Sequence, residues 1–309
     1  MIARSGAELL EICRENNFSL AEYAIQYEME SKNCTREDVI KGMEKVLQVM
    51  KEAANEGQEK EVYSVSGLIG GDAYKLKKYL EKGDTLTGNV MVGAMARALS
   101  CSEVNASMGR IVACPTAGSC GILPAVILTV GERLNLSDEE LIQGLLASSA
   151  VGMIIAQNAT LAGAEGGCQA ECGSAAAMGA AATVEMMGGT PEMALDAGAI
   201  VFKNILGLVC DPIAGLVEVP CAKRNFAGAV SALTTADLVM AGIHSKIPFD
   251  DTVEAMYRVG KSLPASLRET ALGGLAITKT GLKLKEKVFD KIKYHESDDI
   301  EEIEDIEDT

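Results

Sequence analysis

Aromatic residues and histidines are scarce in this sequence of 309 residues, which has no tryptophan, five phenylalanines and two histidines. Hydrophobic residues still make up 48% of the chain, so they are mainly aliphatic, and a chain of this length can bury one large aliphatic core. We expect surface or capping roles for His244 and His295, because neither lies in a distinctive motif. The sequence therefore assigns no general base to a histidine.

Basic residues are also few: 28 lysines and arginines stand against 44 acidic residues, giving a formal net charge of −16. Binding to nucleic acid depends on clustered lysine and arginine, so no nucleic-acid partner is expected. Nine of the carboxylates lie in residues 296–309, a stretch without a basic residue. Such a block repels itself, which predicts a disordered acidic tail after a single domain of residues 1–295.

Long hydrophobic runs are missing as well. The longest strongly apolar stretches, residues 121–130 and 145–156, fall short of the ~20 residues that a transmembrane helix needs. The N-terminus becomes charged before any apolar signal region develops. We therefore expect no membrane partner and a cytoplasmic location.

The hydrophobic pattern is that of helices. Apolar residues recur with a period of 3.6 after Thr35, and Ser137 begins a capping box. Another helix is predicted to begin at Thr190, and a further one to cover residues 251–262. Only residues 62–65 look like a strand, and strands do not alternate with helices. These features predict an all-α fold with one helical domain.

The middle of the chain, about residues 100–240, is rich in glycine, alanine, serine and cysteine and poor in charge. Glycine-rich turns in such a helical core bring the backbone close to a bound group. Three segments place cysteine beside glycine or proline: ACPTAGSCGILPA (113–125), AEGGCQAECG (164–173) and VCDPIAGLVEVPC (209–221).

The nine cysteines are not expected to form disulfides, because the count is odd and the compartment is reducing. Cys168, Cys210 and Cys221 lie in turns, where a backbone can bend a thiolate toward a metal. No compact C-x-x-C pair is present, and the spacing of Cys168 and Cys172 also suits one helix face. Spacing alone leaves metal ligands and buried core cysteines both open.

PTAGSCGILPAV, EGGCQAECG and CDPIAGLVEVPCAKRN resemble the hallmark segments of the α chain of iron-sulfur L-serine dehydratases. SGLIGGDAYKL (66–76) and EVNASMGRIVA (103–113) resemble that family too. The resemblance implies that Cys168, Cys210 and Cys221 bind a 4Fe-4S cluster in which one iron lacks a protein thiolate. Glycine- and cysteine-rich turns would then converge on a cluster site.

The same resemblance implies the reaction: L-serine is converted to pyruvate and ammonium. The open iron would bind the carboxylate and hydroxyl of serine and polarise the C–O bond, while a base removes the α-proton. The resulting aminoacrylate would become an imine and hydrolyse without help. No pyridoxal cofactor is implied.

Two departures from the family concern the partner chain and self-inhibition. Single-chain relatives carry a further domain with a Ser-Ser-x-His-Thr type motif, which this sequence lacks, so we expect a separate β chain in a heterodimer. Some members occupy the open iron with a C-terminal cysteine. No cysteine follows Cys221, so such inhibition is not expected here.

Thr116, Gly118 and Ser119 lie in a turn whose N–H groups suit the binding of a substrate carboxylate. Ordinary turn chemistry explains these residue types equally well.

Five other residues are candidates for the site. Asn105, Ser107 and Arg110 lie in a segment that resembles the family, and we expect them to contact the substrate. Arg224 follows Cys221 closely enough to offer a bidentate carboxylate clamp. Glu165 is a weaker candidate for the base, and it could instead hold a turn through backbone N–H groups.

Two other functions compete with this interpretation. A cysteine desulfidase resembles the same scaffold and would expel sulfide at the same open iron. An iron-sulfur sensor or assembly scaffold would present a surface to a partner or to DNA. The sequence shows no basic patch and no helix-turn-helix pattern, which favours the enzyme.

Overall fold

The computed structural model describes residues 2–290. Within this range the chain is helical, and β-structure is limited to two isolated bridges. The prediction of an all-α fold is confirmed, whereas the acidic tail at 296–309 lies outside the described residues. The helices are α1 (Gly6–Asn16), α2 (Leu20–Lys32), α3 (Arg36–Glu59), α4 (Asp72–Leu80), α5 (Gly88–Ala106), α6 (Ile122–Leu134), α7 (Asp138–Asn158), α8 (Gly163–Gly166), α9 (Cys168–Met186), α10 (Pro191–Ile205), α11 (Cys221–Met240), α12 (Phe249–Ser262) and α13 (279–290).

The predicted helix starts are confirmed because they depend on local capping. Thr35 and Ser137 each cap a helix through a capping box, and the side chain of Thr190 accepts a backbone N–H at the start of α10. Helix α12 begins two residues before the predicted range. The strand-like segment 62–65 contributes only one bridge, between Tyr63 and Gly70.

Helix α9 lies at the centre of the fold and packs against α6, α7, α10 and α11. It is apolar on all sides, as expected for a helix buried all round. Small residues let its neighbours approach: a β-carbon on Gly179 would lie 3.4 Å from Val126 of α6 and 3.6 Å from Ala232 of α11. This packing fixes the N-terminal end of α9, where the candidate site lies.

Two stretches are long and apolar enough to cross a membrane, Ala117–Leu134 and Asp138–Asn158. In the folded chain, 72% and 67% of these windows are buried. The sequence predicted apolar runs too short to cross a membrane. That prediction is corrected, because both helical stretches continue beyond the strictly apolar residues. Burial to this extent is typical of helices in the core of a folded protein.

Candidate active site

The first residues of two helices bring thiols together. Cys168 is the first residue of α9, and Cys221 is the first residue of α11. Cys210 lies in the loop that follows α10. A helix N-terminus carries partial positive charge, which favours a thiolate over a thiol. Two of the three predicted ligands therefore begin with an electrostatic advantage as anions.

Gly167 explains why the first of these cysteines lies in a glycine-rich turn. Its φ of +75° is a left-handed conformation that favours glycine. A β-carbon at this position would also lie 2.8 Å from the carbonyl oxygen of Leu208. The turn that precedes Cys168 thus packs closely against the loop that carries Cys210.

A fourth thiol joins the group, because Sγ of Cys172 lies 3.4 Å from Sγ of Cys168. The hydrogen bond between the two thiols lowers the pKa of Cys168, and Arg224 adds to this effect. The same hydrogen bond and burial raise the pKa of Cys172 well above its usual value. The two thiols thus form one hydrogen-bonded pair in which ionisation is easier at Cys168 than at Cys172.

Burial and mutual repulsion act on the remaining two thiols. Burial, followed by the charge of Cys168, raises the pKa of Cys221 to about 12. The same two causes raise the pKa of Cys210. Cys168, Cys210 and Cys221 are thus close enough to affect one another's ionisation. Removing the protons from all three would therefore require a compensating positive group nearby.

The arrangement of these thiols also indicates the size of the group that they could hold. In residues 2–290, no three histidine, cysteine or acidic side chains are placed to bind one metal ion together. A cluster differs from a single ion because each of its irons takes its own thiolate, so its ligands stand further apart. Three buried thiols with one hydrogen-bonding partner therefore fit an iron-sulfur cluster by donor type.

The turn with Thr116, Gly118 and Ser119 lies beside the thiols and is held there by Asn225. Oδ1 of Asn225 accepts the N–H of Gly121 at 2.9 Å, and Nδ2 donates to the carbonyl of Gly118 at 2.8 Å. Asn225 is buried and lies one helical turn after Cys221, whose carbonyl it also contacts at 3.0 Å. Sequence reasoning missed this role, although the residue ends the quoted cysteine motif.

Glu171 is a second functional candidate that sequence reasoning missed. Its carboxylate accepts a hydrogen bond from Oγ1 of Thr116 at 2.7 Å. Burial raises the pKa of Glu171, and the charge of Glu269 raises it further. Its carboxylate is also among the charges that raise the pKa of Cys210. Its position three residues after Cys168 was the available sequence signal.

Arg224 is close to the thiols, but protein groups occupy it. One terminal nitrogen donates to the carbonyl of Val209 at 2.9 Å and the other to Asp211 at 2.8 Å. Asp211 in turn accepts the N–H of Leu275 at 2.7 Å. In this geometry Arg224 fixes the loop that carries Cys210, and its role as a substrate clamp stays a prediction.

The other four predicted residues lie in four different places. Nδ2 of Asn105 lies 3.4 Å from the carbonyl of Ala117, within the turn, so the structure brings it to the site. Ser107 donates to the carbonyl of Val104 in its own helix end. Arg110 lines a separate groove on the surface near α3 and α7. Glu165 is exposed on α8, and its backbone carbonyl lies 3.5 Å from Arg268.

A loop after α12 completes the surroundings of Cys210. The N–H of Cys210 donates to Leu267 at 2.9 Å, and its carbonyl accepts the N–H of Glu269 at 2.7 Å. Glu269 has a φ of +64°, an uncommon conformation for a residue with a side chain. The charge of Glu269 contributes to the raised pKa of Cys210. No local pattern in the sequence indicates this contact.

The other cysteines lie elsewhere, and all nine are free thiols, as predicted. Cys101, Cys114 and Cys120 are buried, and desolvation is the largest cause of the raised pKa of each. Cys13 is a core residue between α1 and α2. These positions agree with a structural role.

Comparison with known proteins now adds to this geometry. The chain matches the family described as Serine dehydratase alpha chain over residues 15–276. It is 49% identical over 286 residues to the probable L-serine dehydratase, alpha chain, of Bacillus subtilis (strain 168), covering 93% of this chain and 95% of the relative. It is 46% identical over 278 residues to the L-serine dehydratase, alpha chain, of Peptoniphilus asaccharolyticus, covering 90% and 95% respectively.

The match to a longer relative has a different extent. L-serine dehydratase 1 of Escherichia coli (strain K12) is 35% identical over 285 residues, covering 89% of this chain but 61% of the relative. The fold is helical, and buried thiols meet a glycine-rich turn at the N-termini of two helices. The chain is therefore of the class of helical proteins with a thiol-lined site. The chain belongs to the serine dehydratase alpha chain family.

Proposed function

We propose that this chain is the catalytic subunit of an L-serine dehydratase, a lyase that converts L-serine to pyruvate and ammonium. The observation that carries the proposal is the convergence of Cys168, Cys210 and Cys221 with the turn at 116–119 in a member of this family. Related chains named for this activity match almost the whole sequence.

Cys168, Cys210 and Cys221 would hold a 4Fe-4S cluster. When bound, a cluster with three protein thiolates leaves one iron free to act as a Lewis acid toward the substrate hydroxyl. Cys172 would donate its S–H to the thiolate of Cys168, and Arg224 would neutralise part of the negative charge.

The turn would bind the carboxylate of serine. Asn225 holds the carbonyl of Gly118 and the N–H of Gly121, so the turn is preorganised. The hydroxyl of Thr116 donates to Glu171 and the side chain of Ser119 lies against Thr116. The N–H groups of Thr116 and Ser119 are bonded within the turn, so those of Ala117 and Gly118 are the better candidates for this contact.

A separate β chain and a cytoplasmic location belong to the same proposal. The relatives covered almost fully by this chain are named alpha chains, and the longer relative extends well beyond the matched region. In the longer relative, the remainder of the same chain supplies further residues. We infer that a second chain supplies the corresponding residues to this protein, including a group that completes proton transfer.

The test is anaerobic reconstitution with iron and sulfide, followed by visible and EPR spectra and assays of pyruvate from L-serine and from L-cysteine. Each assay is run with and without a β chain. We expect a cluster signal that L-serine perturbs, with serine turned over in preference to cysteine. Preferential turnover of cysteine would instead identify a desulfidase, and a folded chain that takes up no cluster would refute the cluster assignment.

A further inference from the structure

Glu171 lies where the turn at 116–119 meets the thiol site. A β-carbon on Gly118 would lie 2.9 Å from its Oε1, and one on Gly163 would lie 2.8 Å from its Oε2. The same β-carbon on Gly163 would lie 3.2 Å from Sγ of Cys210. Two glycines thus make room for one carboxylate, and any larger residue at either position would displace it.

Within residues 2–290, the carboxylate of Glu171 has one hydrogen-bond donor but no cationic partner. Oε1 accepts the hydroxyl of Thr116, while Oε2 accepts no hydrogen bond from the described residues. Glu269 also lies close enough to raise the pKa of Glu171. In the part of the chain that the structure describes, neither carboxylate forms an ion pair with lysine or arginine.

The nearby arginine does not neutralise this pair. Arg224 donates to Val209 and Asp211, and within the described residues its ion pair is with Asp211 rather than with Glu171 or Glu269. A carboxylate held at a desolvated position without a counter-ion is costly, and a cationic ligand would remove that cost. The geometry therefore calls for a positive group from outside these residues.

An amino acid substrate supplies such a group. If its carboxylate meets the turn and its hydroxyl faces the thiol site, its α-ammonium group is the remaining polar substituent. We propose that Glu171 binds the α-ammonium group of the substrate and so selects an amino acid over the corresponding hydroxy acid. This inference rests on the proposed function, because it takes serine as the substrate.

The test compares two unreactive ligands that differ only at the α-position. L-alanine carries an ammonium group and L-lactate carries a hydroxyl, and neither has the β-hydroxyl that would be eliminated. Their dissociation constants are measured by calorimetry on the cluster-loaded enzyme with its β chain. Glu171→Gln, which keeps an acceptor for Thr116 but removes the charge, should weaken L-alanine by roughly tenfold to a hundredfold, the loss of one charge-assisted hydrogen bond. L-lactate should bind the variant as well as it binds the wild type.

Cluster content from the visible spectrum checks that the variant is intact, and Glu59→Gln controls for the loss of one exposed carboxylate. Glu171→Asp, which retains the charge, should keep the preference for L-alanine and serves if the glutamine variant does not fold. Equal weakening of both ligands, or of neither, would overturn the proposal. A wild-type enzyme without serine turnover would refute the proposed function, whereas turnover with an unchanged preference in the variant would refute only the role of Glu171.

Discussion

Sγ of Cys168 and Sγ of Cys172 lie 3.4 Å apart, one helical turn from each other at the buried start of α9. A hydrogen bond to a cluster sulfur stabilises the more negative, reduced state and raises the reduction potential. We therefore expect Cys172→Ala to retain the cluster but to lower its reduction potential, measured by an EPR-monitored redox titration. Cys120→Ala, another buried cysteine, is the control and should leave the potential unchanged. An unshifted potential in Cys172→Ala would mean that the thiol is only a core residue.

The three assigned ligands should behave alike. Cys168→Ala, Cys210→Ala and Cys221→Ala should each abolish the cluster. Each substitution removes one of the three thiolates that would bind the cluster to the protein, and two thiolates would not hold it. Iron content and visible absorption after anaerobic reconstitution provide the measurement. Cys13→Ala, a core substitution distant from the site, should take up the full complement of iron. A ligand variant that retains an intact cluster would overturn the assignment of that cysteine.

Asn225 makes three hydrogen bonds that hold the turn at 116–119 to α11. Asn225→Ala leaves the N–H of Gly121 buried without a partner, so we expect the free energy of unfolding to fall by about 2 to 3 kcal/mol. Urea denaturation of the cluster-free chain measures the change. Asn105→Ala removes one long contact at a partly exposed residue and should cost less than about 0.5 kcal/mol. Equal stability of the two variants would contradict the role given to Asn225.

Glu103 should make stability depend on pH. Its side chain is buried between α4 and α5, and burial raises its pKa to about 7 from the usual 4.5. The folded chain therefore holds this proton more tightly than the unfolded chain, so the free energy of unfolding falls as pH rises from about 4.5 to about 7.

Glu103→Gln removes this titration. The difference in unfolding free energy between wild type and variant should shift in favour of the variant by up to about 3 kcal/mol across that pH range. Denaturation at a series of pH values measures it, with the exposed Glu139→Gln as the control. Parallel curves for wild type and Glu103→Gln would show that the carboxyl titrates normally.

Much of the fold was predictable because its signals are local. The caps at Thr35, Ser137 and Thr190 satisfy N–H groups within one turn of their own helices, so the helix starts follow from neighbouring residues. The cysteine-bearing turns were recognised from motifs for the same reason. Helix packing order was not predicted, since it depends on contacts between distant segments.

The sequence by itself determined the helical class, the expectation of free thiols and the family resemblance from which the three cluster ligands are proposed. Tertiary structure alone decided which side chains surround them. Thr116 meets Glu171 across 55 positions, and Gly118 meets Asn225 across 107. It also showed that Arg224 binds Asp211 within the protein. No local pattern records such partners, because hydrogen bonds between distant residues form only after α9 and α11 pack together.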